Sequence, residues 1–201
     1  MSELLEDRDI RQRDIISRDK LQYITGLVIG VGAIGRQVAL QLATIGVPKL
    51  VLVDPDIVAV ENLAAQGFRE QDLGMAKVDA VLDACTAVNS SLMCDVYKQK
   101  YGQDIKIQMD SPEHHKAVCC CVDSMASRKK IWHLLEFEHF FVDTRMAAEI
   151  ARVFCVTDRD PQLPITILRR FSTTAKRTAP AVQQKQPSTV QTYAQRLLLH
   201  S

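Results

Sequence analysis

Leu27-Val28-Ile29-Gly30-Val31-Gly32-Ala33-Ile34-Gly35, followed by Val51-Leu52-Val53-Asp54-Pro55-Asp56, reads as an apolar strand, a glycine turn, the opening of a helix, a second apolar strand and a pair of carboxylates. Gly30 lets the chain turn, Gly32 lets the backbone approach a phosphate, and Gly35 lets the helix pack closely on the sheet. The free N–H groups that open the helix, from Ala33 and Ile34 through Arg36, face the anion. Glycines also end ordinary strands, so the bare spacing is weak by itself. Here the flanking strands and the acid at the second strand's end give it the order of a βαβ nucleotide site.

A chain of 201 residues has room for one domain and one good core, with an arm or tail. No apolar run approaches the ~20 residues of a membrane span, and the acidic N-terminus does not read as a signal peptide. The net charge of +1 points to neither a nucleic-acid nor a membrane partner. The six cysteines form no C-x-x-C pair. Cys119, Cys120 and Cys121 sit in an apolar run and read as reduced core residues of a cytoplasmic protein. Cys155 reads as a late-strand thiol, and His114-His115 as an exposed polar loop.

The apolar spacing over 3–24 suits short amphipathic helices, an N-terminal helical arm over 1–24. Strand 26–31 follows, then a helix over 33–45 with Ile34, Val38, Leu42 and Ile45 on one face, and strand 50–54. Asn62 to Gly74 reads as loop, Met75 to Asn89 as a helix, and 93–98 as a weaker strand. Val118 to Val122 is a buried strand with a helix over Ser124 to Leu135 behind it. Further strands fall at Phe140 to Val142 and Glu149 to Val156. This alternation predicts an α/β, Rossmann-like fold, a mostly parallel sheet with helices on both faces, over 25–160.

A plain dinucleotide site needs one ribose-holding acid at the second strand's end, about 20 residues past the glycines, and Asp54 supplies it. That leaves Asp56, Asn62-Leu63-Ala64-Ala65-Gln66, Lys77 at a helix start and Asp123 beyond the later buried strand unexplained. A second strand-end carboxylate suits a divalent metal on a triphosphate, and a lysine supplies a point charge to phosphate. Singly, each has a plain alternative. Asp56 would serve to cap a turn, Asn62 to make one, and Lys77 or Arg11 to sit solvated on a helix face.

Together these residues resemble the ThiF/MoeB-like family, adenylating enzymes related to ubiquitin-activating enzymes. The resemblance runs from about Arg8 to Phe154. It rests on Arg8-x-x-Arg11-Gln12, the glycine turn, Asp54-x-Asp56, Asn62-Leu63 with Gln66, Asp72-x-Gly74-x-x-Lys77, and Asp123 with Arg128 five residues on. It implies an enzyme that uses ATP and Mg²⁺ to adenylate the C-terminal carboxylate of a small ubiquitin-like or sulfur-carrier protein. By position, Asp54 would hold the ribose, Asn62 and Lys77 would contact phosphates, and Asp123 would hold the magnesium. Arg11 would cross a homodimer interface to the partner's nucleotide. Where Ala65 stands the family usually has an arginine on the phosphates. A fixed cation is worth on the order of 3 kcal/mol to such a transition state, and Arg36 and Arg69 are the nearest replacements in sequence. Without one, adenylation would be impaired. An NAD-dependent oxidoreductase and a non-catalytic nucleotide-binding protein are the alternative readings.

Residues 161–201 carry six basic side chains and no acid, and break from the family pattern. Two expectations stand for this tail: a basic, disordered extension, or translation of a shifted frame. Read one base out of register, Ala175 to Ala181 admits Glu-Ala-Tyr-Gly-Pro-Cys and Pro187 to Thr192 admits Ile-Tyr-Cys-Ala-Asn. Both strings resemble the later part of bacterial relatives.

Overall fold

The computed structural model describes residues 8–105, 107, 114–135, 140–147 and 150–157. The expected tail over 161–201 lies outside them, as do residues 1–7 of the arm and Glu149. After a four-residue helix α1 (Arg18–Leu21), the chain runs β1 (Ile24–Ile29), α2 (Ala33–Ile45), β2 (Lys49–Val53), α3 (Val60–Gln66), a 3-10 turn (Glu70–Asp72) and α4 (Lys77–Val88). It continues through β3 (Met93–Tyr97), β4 (His115–Cys120), α5 (Met125–Leu134), β5 (Phe140–Ala147) and β6 (Ile150–Thr157).

The six strands form one sheet in the order β3-β2-β1-β4-β5-β6. Strands β1 to β5 pair in parallel, and β6 returns antiparallel on β5. The chain leaves β1 in one direction to β2 and returns on the other side as β4. The ends of these two strands therefore flank the end of β1, where open α/β sheets bind ligands. The expected mostly parallel Rossmann-like sheet is observed.

Alternation along the strands divides the core in two. Val28, Leu50, Leu52 and Cys119 pack with α2 and α4, whereas Leu27, Ile29, Val51, Val53, Val118 and Cys120 pack with Ile131 and Trp132 of α5. Trp132 meets Phe141 edge-on at 5.1 Å between centroids. Helix α2 buries Gly35, Ala39 and Ala43 most deeply. Val38, Leu42 and Ile45 flank this row, as expected, but Ile34 is not part of the cluster. Small residues lead because the helix lies directly on the glycine turn: a Cβ on Gly35 would stand 1.8 Å from the Gly30 carbonyl oxygen.

Three expectations need correction. The stretch 62–74 is not all loop: α3 and the 3-10 turn occupy much of it, the former ending at Gly67 in a left-handed conformation. Strand β5 runs five residues beyond Val142, and His115 opens β4 instead of standing in a loop. The described arm holds turns and α1 only, tied down by side chains. Arg8 and Gln12 donate to the Thr44 and Ile45 carbonyls at the end of α2, and Arg8 also to Asn89 Oδ1 just past α4. These bonds satisfy carbonyls that a helix terminus leaves without partners. Asp9, buried in the arm, accepts from Arg18 and Arg13, which hold its carboxyl down at about 2. Among the described residues no helix is long and apolar enough to cross a membrane.

Alanine favours a helix over glycine by ~1 kcal/mol, yet Gly35→Ala is expected to lower stability. The clash with Gly30 must push α2 off the sheet, an overpacking cost of about 1–3 kcal/mol, read as a lower urea midpoint. The arm provides a pH test. A carboxyl depressed from 3.8 to about 2 contributes stability above pH 3.8 and loses it as the pH falls through 2. The stability gap between the parent and Asp9→Asn should thus be constant above that window and close within it, by thermal melting across pH.

Candidate functional site

The end of β1 runs into Gly30, whose φ of 85° is open to glycine and strained for other residues. A Cβ here would lie 3.0 Å from the backbone of Cys121 and Val122, so the turn is wedged against the chain leaving β4. Its N–H donates to the Val53 carbonyl, and the Cys121 N–H donates to that of Ile29, each at 2.8 Å. Gly32 caps α2 without a side-chain hydrogen bond. Unlike Gly30 and Gly35, Gly32 is not crowded: a Cβ there would meet only the Gln66 carboxamide, at 3.6 Å.

Asp54, at the tip of β2, is buried. One carboxylate oxygen accepts the Val31 N–H at 2.8 Å and the other accepts the Asp56 N–H at 2.9 Å. The acid expected to hold a ribose is seen to hold the glycine turn. Burial pushes its carboxyl above the ordinary range, against the pull of those two N–H groups and of the Lys77 charge. Asp56 is exposed and pairs at 3.0 Å with the buried Lys77 Nζ, while the Lys77 N–H donates to the Asp56 carbonyl. The two residues, distant in sequence, form one unit at the head of α4.

Asn62 uses its side-chain oxygen to accept the Ala59 N–H, closing the first turn of α3. Ala65 is exposed on that helix. Asp123 is exposed beyond β4, one residue before Ser124, whose hydroxyl accepts the Ser127 N–H at the start of α5. Asp54 and Asp123 therefore stand at the same edge of the sheet, on the strands either side of β1. Gly30, Gly32, Ala33, Ile34, Gly35, Asp54, Asp56, Lys77 and Asp123 all belong to that edge. Arg11 does not. Its neighbours Arg8 and Gln12 bind the far end of α2, a thirteen-residue helix, about 20 Å from the glycine turn.

Of the two arginines considered near the phosphates, Arg69 is taken: it grips Asp72 through Nε and Nη2, at 3.0 and 2.7 Å to one oxygen. Arg36 lies over the Phe68 ring. Sequence reasoning missed one cluster. Asp143 of β5 is fully buried between Arg128 and Arg145, and Arg128 also donates to the Val122 carbonyl. The carbonyl next to Asp123 is thus anchored from behind. Arg145 in turn stacks 4.6 Å from the Phe154 ring. Asp143-x-Arg145 at strand spacing was the available signal, since alternate residues share a face. The thiols of Cys119 and Cys120 are pushed up to about 12 by burial, as core cysteines should be.

A glycine turn between β1 and α2, an acid holding it from β2, and a second acid beyond β4 define an α/β protein of the Rossmann-like class. Residues 7–141 match the model of the ThiF family, and the chain belongs to that family. It is 33% identical over 116 residues to adenylyltransferase and sulfurtransferase MOCS3-1 of Zea mays, covering 51% of this chain and 25% of that protein. It is 34% identical over 107 residues to the sulfur carrier protein ThiS adenylyltransferase of Escherichia coli strain K12, covering 52% and 41%. The match thus spans between a quarter and about two fifths of these relatives. The crystal structure of PaaA shares the fold with a TM-score of 0.61 at 21% identity, covering 80% of this chain and 53% of that one.

Removing one partner of a buried ion cluster strands the others without compensation, at about 3–5 kcal/mol. Asp143→Ala should therefore lose stability on that scale by urea denaturation, with Asp143→Asn losing less because it keeps a hydrogen-bond acceptor for one arginine.

Proposed function

We propose that this chain adenylates the C-terminal carboxylate of a small ubiquitin-like or sulfur-carrier protein, using ATP. The observation that carries the reading is the shared sheet edge: the glycine turn, Lys77 and the acids 54 and 123 stand together where β1 ends. The family and the adenylyltransferases it resembles support the chemistry. They give no support to an NAD-dependent oxidoreductase.

In this reading the N–H groups of Ala33, Ile34 and Gly35 receive phosphate oxygens at the positive end of α2. Lys77 Nζ, buried and paired with the exposed Asp56, turns its charge to the phosphates, and Asn62 supplies its amide from α3. Asp54 holds the turn and offers its remaining lone pairs to the ribose. A carboxylate oxygen of the carrier's last residue attacks the α-phosphorus as the α–β phosphoanhydride bond breaks. Pyrophosphate leaves with that electron pair, and the carrier is left as its acyl-adenylate. No side chain of this protein acts as nucleophile; its work is positioning and charge stabilisation.

The residues fit a magnesium ion in one respect: Asp123 offers an exposed hard oxygen beside the turn. No group of three potential ligands gathers among the described residues, and Mg²⁺ on a triphosphate takes one or two carboxylates, phosphate oxygens and water. When bound, the ion would offset negative charge on the phosphates. Arg11 is exposed at the far edge, and this reading gives it to the partner's site in a homodimer. The cytoplasm is the compartment the reading assigns, since all six cysteines are free thiols.

ATP–pyrophosphate exchange with candidate carrier proteins tests the proposal. The parent should exchange label only when a carrier with a free C-terminus is present. Asp123→Ala should abolish exchange while ATP affinity falls far less, and a variant keeping most of its exchange would refute the role of Asp123. ATP binding with no exchange for any carrier would make the chain a non-catalytic nucleotide binder.

A further inference from the structure

Arg36 is a cation set at the positive end of a helix dipole, in the opening turn of α2, where its own N–H donates to the Gly32 carbonyl at 3.0 Å. A basic side chain is disfavoured there unless an anion joins it. Its guanidinium is partly buried, 5.6 Å from the Phe68 ring centroid, with Nη1 3.3 Å from where a Cβ on Gly67 would stand. Among the described residues it makes no hydrogen bond and no ion pair, whereas Arg8, Arg13, Arg18, Arg69, Arg128 and Arg145 each make one or more. Asp72, whose carboxyl feels the Arg36 charge, is already gripped by Arg69.

A second polar group beside the same turn is also unanswered. Gln66 lays its carboxamide along Gly32, and its Oε1 is buried without a hydrogen-bond partner among the described residues. A buried oxygen without a donor costs free energy that a bound ligand can recover. The end of α3 thus sets a carboxamide beside Gly32, and the next two residues, Gly67 and Phe68, lie against the Arg36 guanidinium. The aromatic ring holds the planar guanidinium in place without neutralising it.

We infer that Arg36, stacked on Phe68, is the arginine that grips the phosphate chain of the bound nucleotide, with the Gln66 carboxamide completing the contact beside Gly32. This rests on the nucleotide reading above and names the residues that hold its polyphosphate. Glycine N–H groups orient a phosphate but carry only partial charge, and Lys77 is shared with Asp56. Arg36 brings a full charge, in no ion pair among the described residues, in a fork that two phosphate oxygens can meet together.

Calorimetric titration of the full-length chain with ATP, AMP and adenosine tests this, using the parent, Arg36→Gln and Arg36→Lys. Loss of a charge-assisted bond should weaken ATP by roughly tenfold to a hundredfold in Arg36→Gln. Adenosine affinity should stay unchanged, AMP should fall between, and Arg36→Lys should recover part of the loss. Melting curves of both variants check folding independently. A parent that binds ATP as tightly as Arg36→Gln does, or a variant that loses ATP and adenosine alike, overturns the inference and leaves the nucleotide reading standing. A parent that binds no nucleotide at all overturns both.

Discussion

One carboxylate ties the two halves of the glycine motif into a rigid object. The Asp54 oxygens are bound to the N–H groups of Val31 and Asp56, so the turn after β1 and the chain after β2 share a single hinge pin. That pin sits in a dry place, and burial shifts its carboxyl upward even as two backbone dipoles pull it down. The two N–H groups would otherwise be buried donors without partners, a penalty of about 1–3 kcal/mol each. Everything else at the edge is arranged around it. Gly30 is wedged against the backbone of β4's exit, Gly35 rides on the Gly30 carbonyl, and Lys77 adds its charge from α4.

Close packing extends this rigidity into the core. The row of Gly35, Ala39 and Ala43 brings α2 down onto the sheet, and the larger Val38 and Leu42 fill its flanks. On the opposite face α5 presses Trp132 against Phe141 while Arg128, from the same helix, reaches the Val122 carbonyl. Apolar packing and a buried ion cluster thus locate the segment that carries Asp123. The ion cluster adds little to net stability, because removing three charges from water consumes most of their mutual attraction. Its effect is to fix direction: guanidinium planes accept few orientations, and a carbonyl held by one of them cannot swing.

Much of this was legible from residue order. The strands β1 and β2 and the helices α2, α4 and α5 follow from apolar spacing and from glycines at their flanks. The acid at each strand tip and the lysine at a helix start could be placed on one edge for the same reason. Helix α3 was not legible, because Asn62, Gln66 and Gly67 are turn-forming residues in isolation. Here they cap both ends of a seven-residue helix. A charge in an apolar run reads as an exit to solvent, yet Asp143 stands inside β5. Two arginines, one from a helix and one two residues along the strand, keep it inside. Those partnerships, like the Gln66 carboxamide against Gly32, are long-range or register-dependent facts that no local pattern records.

The Lys77–Asp56 unit has a further consequence for what this edge can hold. A naked buried ammonium would attract any small anion in the cell, chloride included, and the site would be continually occupied. Because an exposed internal carboxylate already sits 3.0 Å from the nitrogen, a visitor must outcompete a tethered rival whose effective concentration is high. Weak singly charged ions lose that contest. Only a ligand bringing several negative oxygens at once, and gaining backbone donors elsewhere along the turn, can displace the tether, so the pair acts as a threshold against casual guests.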